Sequence, residues 1–345
     1  MAAKSRFSNP YALLLMTMLL WGSSFSSSKS VVEHVPHSVG ALLRFGGGAL
    51  ALLLAVALFG NREQRVPARA GWLAAAAGVL GVFAYNGFFF WGLSLAPSLD
   101  AGILIPVMSP VLTSSFLLLT GKEKPDWARA SGLALGLTGA VIFFLGAGGS
   151  GGGGSSRLLG DALFLLSAVC WASYTLAGPR VLAGIEPLKA TTYATCAGAV
   201  LLAVLAAPDL PKVEWSELPA SVWLNSAFLA IGAAAVANLL YYRGVGEVGP
   251  AKASLMMFNV PIVNTLCATV LLGESFGWLQ GTGALVLVLG AVIAVTRGKL
   301  PRRAAGPDAQ PRADKASEAD AGDAADAEAK AQAGSTMSPA PAEGS

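Results

Sequence analysis

The chain has 345 residues, of which 54% are apolar and only 12% charged; it carries 41 glycines and a net charge of +3. Water-soluble domains carry about 25% charged residues, so this composition excludes an ordinary soluble domain. The small, scattered positive charge gives no footprint for nucleic acid.

A membrane-spanning helix needs roughly 20 mostly apolar residues. Ten such segments are expected, at about 11–31, 39–59, 71–93, 101–120, 127–146, 158–178, 190–207, 221–241, 252–272 and 277–296. Lys4 and Arg6 precede the first, and no small-residue cleavage site closes it, so it reads as a retained helix behind a short cytoplasmic N-terminus, residues 1–10. It holds the run W-G-S-S-F-S-S-S-K, Trp21 to Lys29. Trp21 sits deep rather than in the interfacial belt, which fits either a cavity wall or interhelical packing. Lys29 lies close enough to a helix end to snorkel outward. His34 and His37 in the following loop, with Glu33, read as solvated polar surface rather than as a metal site.

In the second segment, Arg44 is a costly charge inside apolar sequence. It can snorkel, pair with Glu33 or Asp100, or meet an anionic group of a substrate. Asn86 follows in the third, among Tyr85 and Phe88 to Trp91. Its amide needs a partner, either on a neighbouring helix or on a substrate. Pro106 and Pro110 interrupt the fourth, and Gly132 and Gly136 in the fifth suit close helix packing, with a dimer face as one use.

The stretch Gly146 to Ser156 satisfies G-x-G-x-x-G, but apolar helices flank it in place of a strand and a βαβ unit. It reads as a flexible linker over residues 147–157, and no cofactor is expected. The sixth segment carries W-A-S-Y, Trp171 to Tyr174; the eighth carries Asn238, Tyr241 and Tyr242; the ninth carries Asn259, Pro261 and Asn264; the tenth carries Gly283 and Gly290. Cys170, Cys196 and Cys267 all fall inside these segments and read as packing residues, not a disulfide framework. From residue 298 onward the chain turns to Ala, Asp, Glu, Lys and Pro, expected to be a disordered cytoplasmic tail.

These landmarks repeat. Trp21 and Trp171, Asn86 and Asn238, Gly92 and Gly244, Pro110 and Pro261, Glu123 and Glu274, and Trp127 and Trp278 all lie 150 to 152 residues apart. Two copies of five helices are therefore expected, over 11–146 and 158–297. An odd number of helices inverts the second copy relative to the first. Lysine and arginine support this: they crowd the loops at one side, through Arg62, Arg65, Arg69, Lys122, Lys124, Arg129, Arg180, Lys189, Arg243 and Lys252. The other side holds Arg157 and Lys212, with Lys29 near its edge. Both termini are thus expected in the cytoplasm. Pro110 and Pro261, at matching places, are candidate hinges beside a midplane site.

No Asp or Glu falls well inside a span; Asp100, Asp161 and Glu274 sit at ends. A deep anionic site for organic cations is therefore not expected. Without an intramembrane histidine or a nucleophile elbow there is no basis for a catalytic residue, a membrane enzyme or a metal site.

W-G-S-S-F in the first segment, R-F at Arg44 and Phe45, and S-P at Ser109 and Pro110 before a G-K-E turn resemble the EamA-type drug/metabolite transporters. So do G-D at Gly160 and Asp161, W-A-S-Y, and the spacing from Pro261 to Gly273 and Glu274. The resemblance covers about residues 10–297. It implies an all-α inverted-repeat bundle with a cavity lined by helices one, three, four, six, eight and nine. Carried over by position, substrate would meet Trp21, Ser24, Tyr85, Asn86, Ser109, Trp171, Tyr174, Asn238, Tyr242 and Asn259. The expected function is export of small neutral or zwitterionic metabolites, amino acids first, across the inner membrane by alternating access. The alternatives are a permease for sugars or other metabolites with the same fold, or a lipid-handling membrane protein. The expected partners are a small-molecule substrate and membrane lipid, no nucleic acid, and a homodimer through helices five and ten.

Overall fold

The structure is a computed structural model that describes residues 9–59, 66–121, 126–149, 154–181, 185–248, 256–275 and 277–296. The expected C-terminal tail, most of the expected N-terminus and the centre of the glycine linker lie outside the described residues. Among those residues the chain is helical, without a strand. The helices are α1 (Pro10–Val32), α2 (His37–Phe59), α3 (Ala68–Leu95), α4 (Ser98–Leu119), α5 (Trp127–Gly149), α6 (Gly154–Val181) and α7 (Pro187–Ala206). Then come α8, built of Ala220–Ala227, Phe228–Val236 and Ala237–Val248, α9 (Asn259–Leu272) and α10 (Trp278–Thr296). Residues 147–149 and 154–157 of the expected linker are helical rather than flexible, and 150–153 lie outside the described residues.

Among the described residues, six helices are long and apolar enough to cross a membrane: α2, α3, α4, α6, α7 and Ala220–Tyr241 of α8. Shorter apolar helices span Ala130–Gly146, Asn259–Leu272 and Trp278–Ile293. Their outer surfaces carry exposed leucines such as Leu54, Leu224 and Leu271. Such a surface is stable against lipid tails and unstable against water.

Local chemistry sets the helix ends. Asn9 accepts the backbone N–H of Tyr11 at 3.1 Å, and Pro10 follows at the first helical position, where no donor is needed. Gly121 after α4 and Gly273 after α9 both stop their helices in the left-handed conformation, at φ 66°. A Cβ would strain that geometry, and glycine carries none. These two turns are the same turn in the two copies.

The copies interlock. α1 packs on α9 and, at the matching place, α6 packs on α4; α2 packs on α7, and α5 on α10. The glycines of the last pair explain the closeness. A Cβ on Gly139 would overlap the Leu287 backbone, one on Gly283 the Phe143 backbone, and one on Gly290 the Gly136 backbone. The glycine face expected to be free for a homodimer is therefore spent inside the chain, and its small residues bring α5 and α10 together.

Both α3 and α8 contain a π-helical stretch, Val79–Ala84 and Phe228–Val236. Their positions correspond under the repeat. Asn86 donates from Nδ2 to the Val82 carbonyl at 2.7 Å, and Asn238 to the Ala234 carbonyl at 2.6 Å. Each amide thus satisfies a carbonyl of its own π stretch, rather than gluing two helices together. π stretches recur at functional sites because they redirect side chains and expose carbonyls.

α4 runs unbroken through Pro106 and Pro110. α9 begins at Asn259 after a turn at Met257 and Phe258, so Pro261 lies in its first turn, where a missing N–H costs little. Pro261 therefore marks where the ninth helix is reset, not its interior.

Candidate functional site

The two tryptophans at the repeat positions meet. The Trp21 and Trp171 rings lie edge to face with centroids 6.3 Å apart. Tyr241 packs on Trp21 at 5.1 Å, Tyr85 on Trp171 at 5.4 Å, and Tyr174 on Trp171 at 5.8 Å. Trp21 Nε1 donates to the Ala233 carbonyl, in the π stretch of α8, at 3.2 Å. The aromatic group is therefore anchored across the boundary between the copies.

These rings border a cavity of about 500 Å³. Trp21, Ser24, Tyr85, Ser109, Trp171, Tyr174 and Asn238 all line it, as does Pro110. Volumes of 300–1,000 Å³, mostly apolar with a few polar groups, are usual for small-molecule sites. Asn86 does not line it: it is fully buried and bound to its own helix. Asn259 does not line it either, and its Nδ2 donates to the Met256 carbonyl at 2.8 Å. The Tyr242 side chain lies outside the described residues. Pro261 is buried beside the cavity without lining it.

The lining also includes residues beyond the expected helices. Arg44 and Phe45 come from α2, and Ala190, Thr191 and Thr195 from α7. Arg44 pairs with neither Glu33 nor Asp100. Its Nη1 donates to Ser28 Oγ at 3.4 Å, and its guanidinium lies 5.2 Å from the Phe45 ring and 5.6 Å from the Phe89 ring. The signal available in sequence was the isolated charge itself. Lys29 does not snorkel outward: its Nζ donates to the carbonyls of Leu93 at 2.7 Å and Ala96 at 3.2 Å. It satisfies two backbone carbonyls at the C-terminal end of α3, where a cation also suits the helix dipole.

The cavity runs toward Leu117, Val181 and Ala190. Val181 and Ala190 cluster with Ala70 and Ile185 at the end where α3 begins. The opposite end is tied by polar contacts between the copies. Asp100 at the start of α4 accepts from Arg157 Nε at 2.8 Å and Nη2 at 3.0 Å, and from Gln280 Nε2 at 3.2 Å. Glu274 caps α4, accepting from the Ser98 and Leu99 backbone N–H groups at 2.9 and 2.8 Å and from Ser98 Oγ at 3.0 Å. Asn264 Nδ2 donates to the Ser98 carbonyl at 3.0 Å. None of these residues lines the cavity. Asp100 and Asp161, at segment ends in sequence, are both fully buried in this cluster. Nearby, between α7 and α8, Asp209 accepts from Lys212 at 2.7 Å and from Ser38 Oγ at 2.5 Å. The Lys212 contact first, and then Ser38, hold the Asp209 carboxyl below the ordinary carboxylate range.

This cavity, walled by both copies of an interlocked repeat, is a solute-carrier arrangement. The sequence profile of the EamA-like transporter family matches residues 9–145 and 158–296. The chain belongs to the EamA-like transporter family. It is 28% identical over 295 residues to the uncharacterized transporter YyaM of Bacillus subtilis, covering 85% of this chain and 96% of that one. It is 27% identical to a protein of Streptantibioticus cattleyicolor named "Probable terminal-alkyne amino-acid exporter", covering 84% of this chain and 94% of that one. It is 26% identical to the aromatic amino acid exporter YddG of Ancylobacter novellus, covering 80% and 91%. This EamA-like protein is an integral membrane transporter; family and relatives point to solute movement rather than catalysis.

Proposed function

We propose that this EamA-like protein exports small zwitterionic metabolites, amino acids first, across the inner membrane by alternating access. In this reading all ten helices cross the membrane as two inverted five-helix repeats, and both termini lie in the cytoplasm. The basic loops orient it so. The cavity then reaches the cytoplasmic face, and the Asp100, Arg157 and Glu274 contacts close the outer face. Export would follow when the copies rock, releasing those contacts and closing the Val181–Ala190 end.

The observation that carries the reading is the aromatic wall where the copies meet: Trp21, Tyr85, Trp171, Tyr174 and Tyr241 around one cavity. Aromatic rings receive apolar side chains and attract an ammonium group through their faces. Asn238, Ser24 and Ser109 supply polar contacts, and Pro110 and Pro261 serve as hinges. Two distant relatives named as amino-acid exporters support the same substrate class.

The test is counterflow of labelled amino acids in liposomes holding the purified protein. Saturable exchange of at least one amino acid is expected. A full amino-acid panel without exchange, beside exchange of sugars or other metabolites, would remove the amino-acid assignment.

A further inference from the structure

Arg44 has a buried charge without a counter-charge. The residue is 7% exposed, yet it lines the cavity. Its Nε has no hydrogen-bond partner, and Nη1 has one long contact, to Ser28 Oγ at 3.4 Å. Asp100 takes the Arg157 fork and Asp209 takes Lys212, and among the described residues no carboxylate forms an ion pair with Arg44. Among the described residues lining the cavity, Arg44 is the one charged side chain, and no Asp or Glu accompanies it.

A guanidinium held in this way is expensive unless something anionic joins it. The Phe45 and Phe89 rings, at 5.2 and 5.6 Å, offset part of that cost and hold the fork in place. They do not use its hydrogen-bond donors. A planar fork with unused donors matches the two oxygens of a carboxylate. One cation balances one negative charge, which suits a monocarboxylate better than a phosphate dianion.

We infer that Arg44 is the anchoring point for the carboxylate of the transported solute, so that the cavity selects small monocarboxylates with an apolar or aromatic body. The body then lies against Trp21, Tyr85 and Trp171. This rests on the reading of the cavity as the solute site, and it adds a requirement to that reading: the acid is recognised and its neutral amide is not.

The test uses the full chain in liposomes, preloaded with each compound in turn, with L-phenylalanine, L-phenylalaninamide and 3-phenylpropanoate as probes. In the unmodified protein both acids are expected to exchange at least tenfold faster than the amide. Arg44→Gln should bring acids and amide to within about twofold of each other, and Arg44→Lys should fall between. Melting in detergent shows whether each variant is folded. If Arg44→Gln does not fold, the acid-to-amide ratio of the unmodified protein decides alone. Amide exchange as fast as the acids, or a folded Arg44→Gln protein that keeps the full preference, overturns the anchor but leaves a transporter. Exchange of 3-phenylpropanoate without phenylalanine keeps the anchor and removes the amino-acid assignment. Exchange of none of the three overturns both.

Discussion

Trp21 of the first repeat and Trp171 of the second lie edge to face with ring centroids 6.3 Å apart, although 150 residues separate them in the chain. The pair therefore sits where the two copies meet, and the cavity lies beside it. An aromatic pair of this geometry contributes about 0.5–1.5 kcal/mol beyond its buried area. Trp21→Ala and Trp171→Ala are each expected to lower exchange by about 2- to 12-fold. The double variant should lose less than the product of the two losses, because the residues share one contact. Initial exchange rates in a double-mutant cycle measure this. Fully multiplicative losses would mean the rings act independently. Trp21→Phe should lie between, keeping a ring but abandoning the Ala233 carbonyl.

Asn86 and Asn238 separate structure from recognition. Both satisfy a carbonyl four residues back, but only Asn238 lines the cavity. Polar contacts within membranes are worth about 0.6 kcal/mol on average and at most about 1.7. Asn86→Ala should lower the melting temperature in detergent and leave KM unchanged. Asn238→Ala should raise KM severalfold. Identical effects of the two substitutions on KM would contradict the assignment.

The Asp100–Arg157 pair ties α4 to α6 with Asp100 fully buried and Arg157 at 15% exposure. Removing one partner of such a pair leaves an uncompensated charge and costs about 3–5 kcal/mol. Arg157→Met should lower the yield of folded protein sharply. Arg157→Met combined with Asp100→Leu should restore much of it, since apolar replacement of both partners is often neutral. Size-exclusion profiles in detergent read both. A double variant as poor as the single one would show that the pair does more than neutralise charge.

Gly139 and Gly87 make a matched comparison. A Cβ on Gly139 would overlap the Leu287 backbone, whereas one on Gly87 meets nothing within 4 Å. Gly139→Ala is expected to cost about 1–3 kcal/mol through forced separation of α5 and α10. Gly87→Ala should be neutral or slightly stabilising, as alanine is the better helix former. Thermal melts of the two variants decide it.

The repeat was legible in the sequence because its markers are distinctive in apolar segments: tryptophan deep inside a span, proline within one, glycine at matching places. Trp21, Trp171 and the Gly121 and Gly273 turns could thus be paired before any contact was known. Arg44 was visible as an anomaly, but its neighbours were not, since Ser28 and Phe89 come from other helices. The π stretches left no signal: Val79–Ala84 and Phe228–Val236 read as ordinary apolar helix. Asn86 and Asn238, whose amides looked equally suited to neighbours or solute, each bond a carbonyl of the stretch. The buried state of Asp100 and Asp161 was hidden for a related reason. A carboxylate near a helix end reads as solvated until the partner helix that covers it is placed.

Alternating access about this cavity requires the Ser98–Glu274 end to open for solute to pass. In a background without Cys170, Cys196 and Cys267, Ser98→Cys and Glu274→Cys can be bridged by a short bifunctional methanethiosulfonate, with counterflow measured before bridging, after it, and after reduction. Exchange should fall to the protein-free background on bridging and return on reduction. Undiminished exchange through quantitatively bridged protein would contradict alternating access about this cavity.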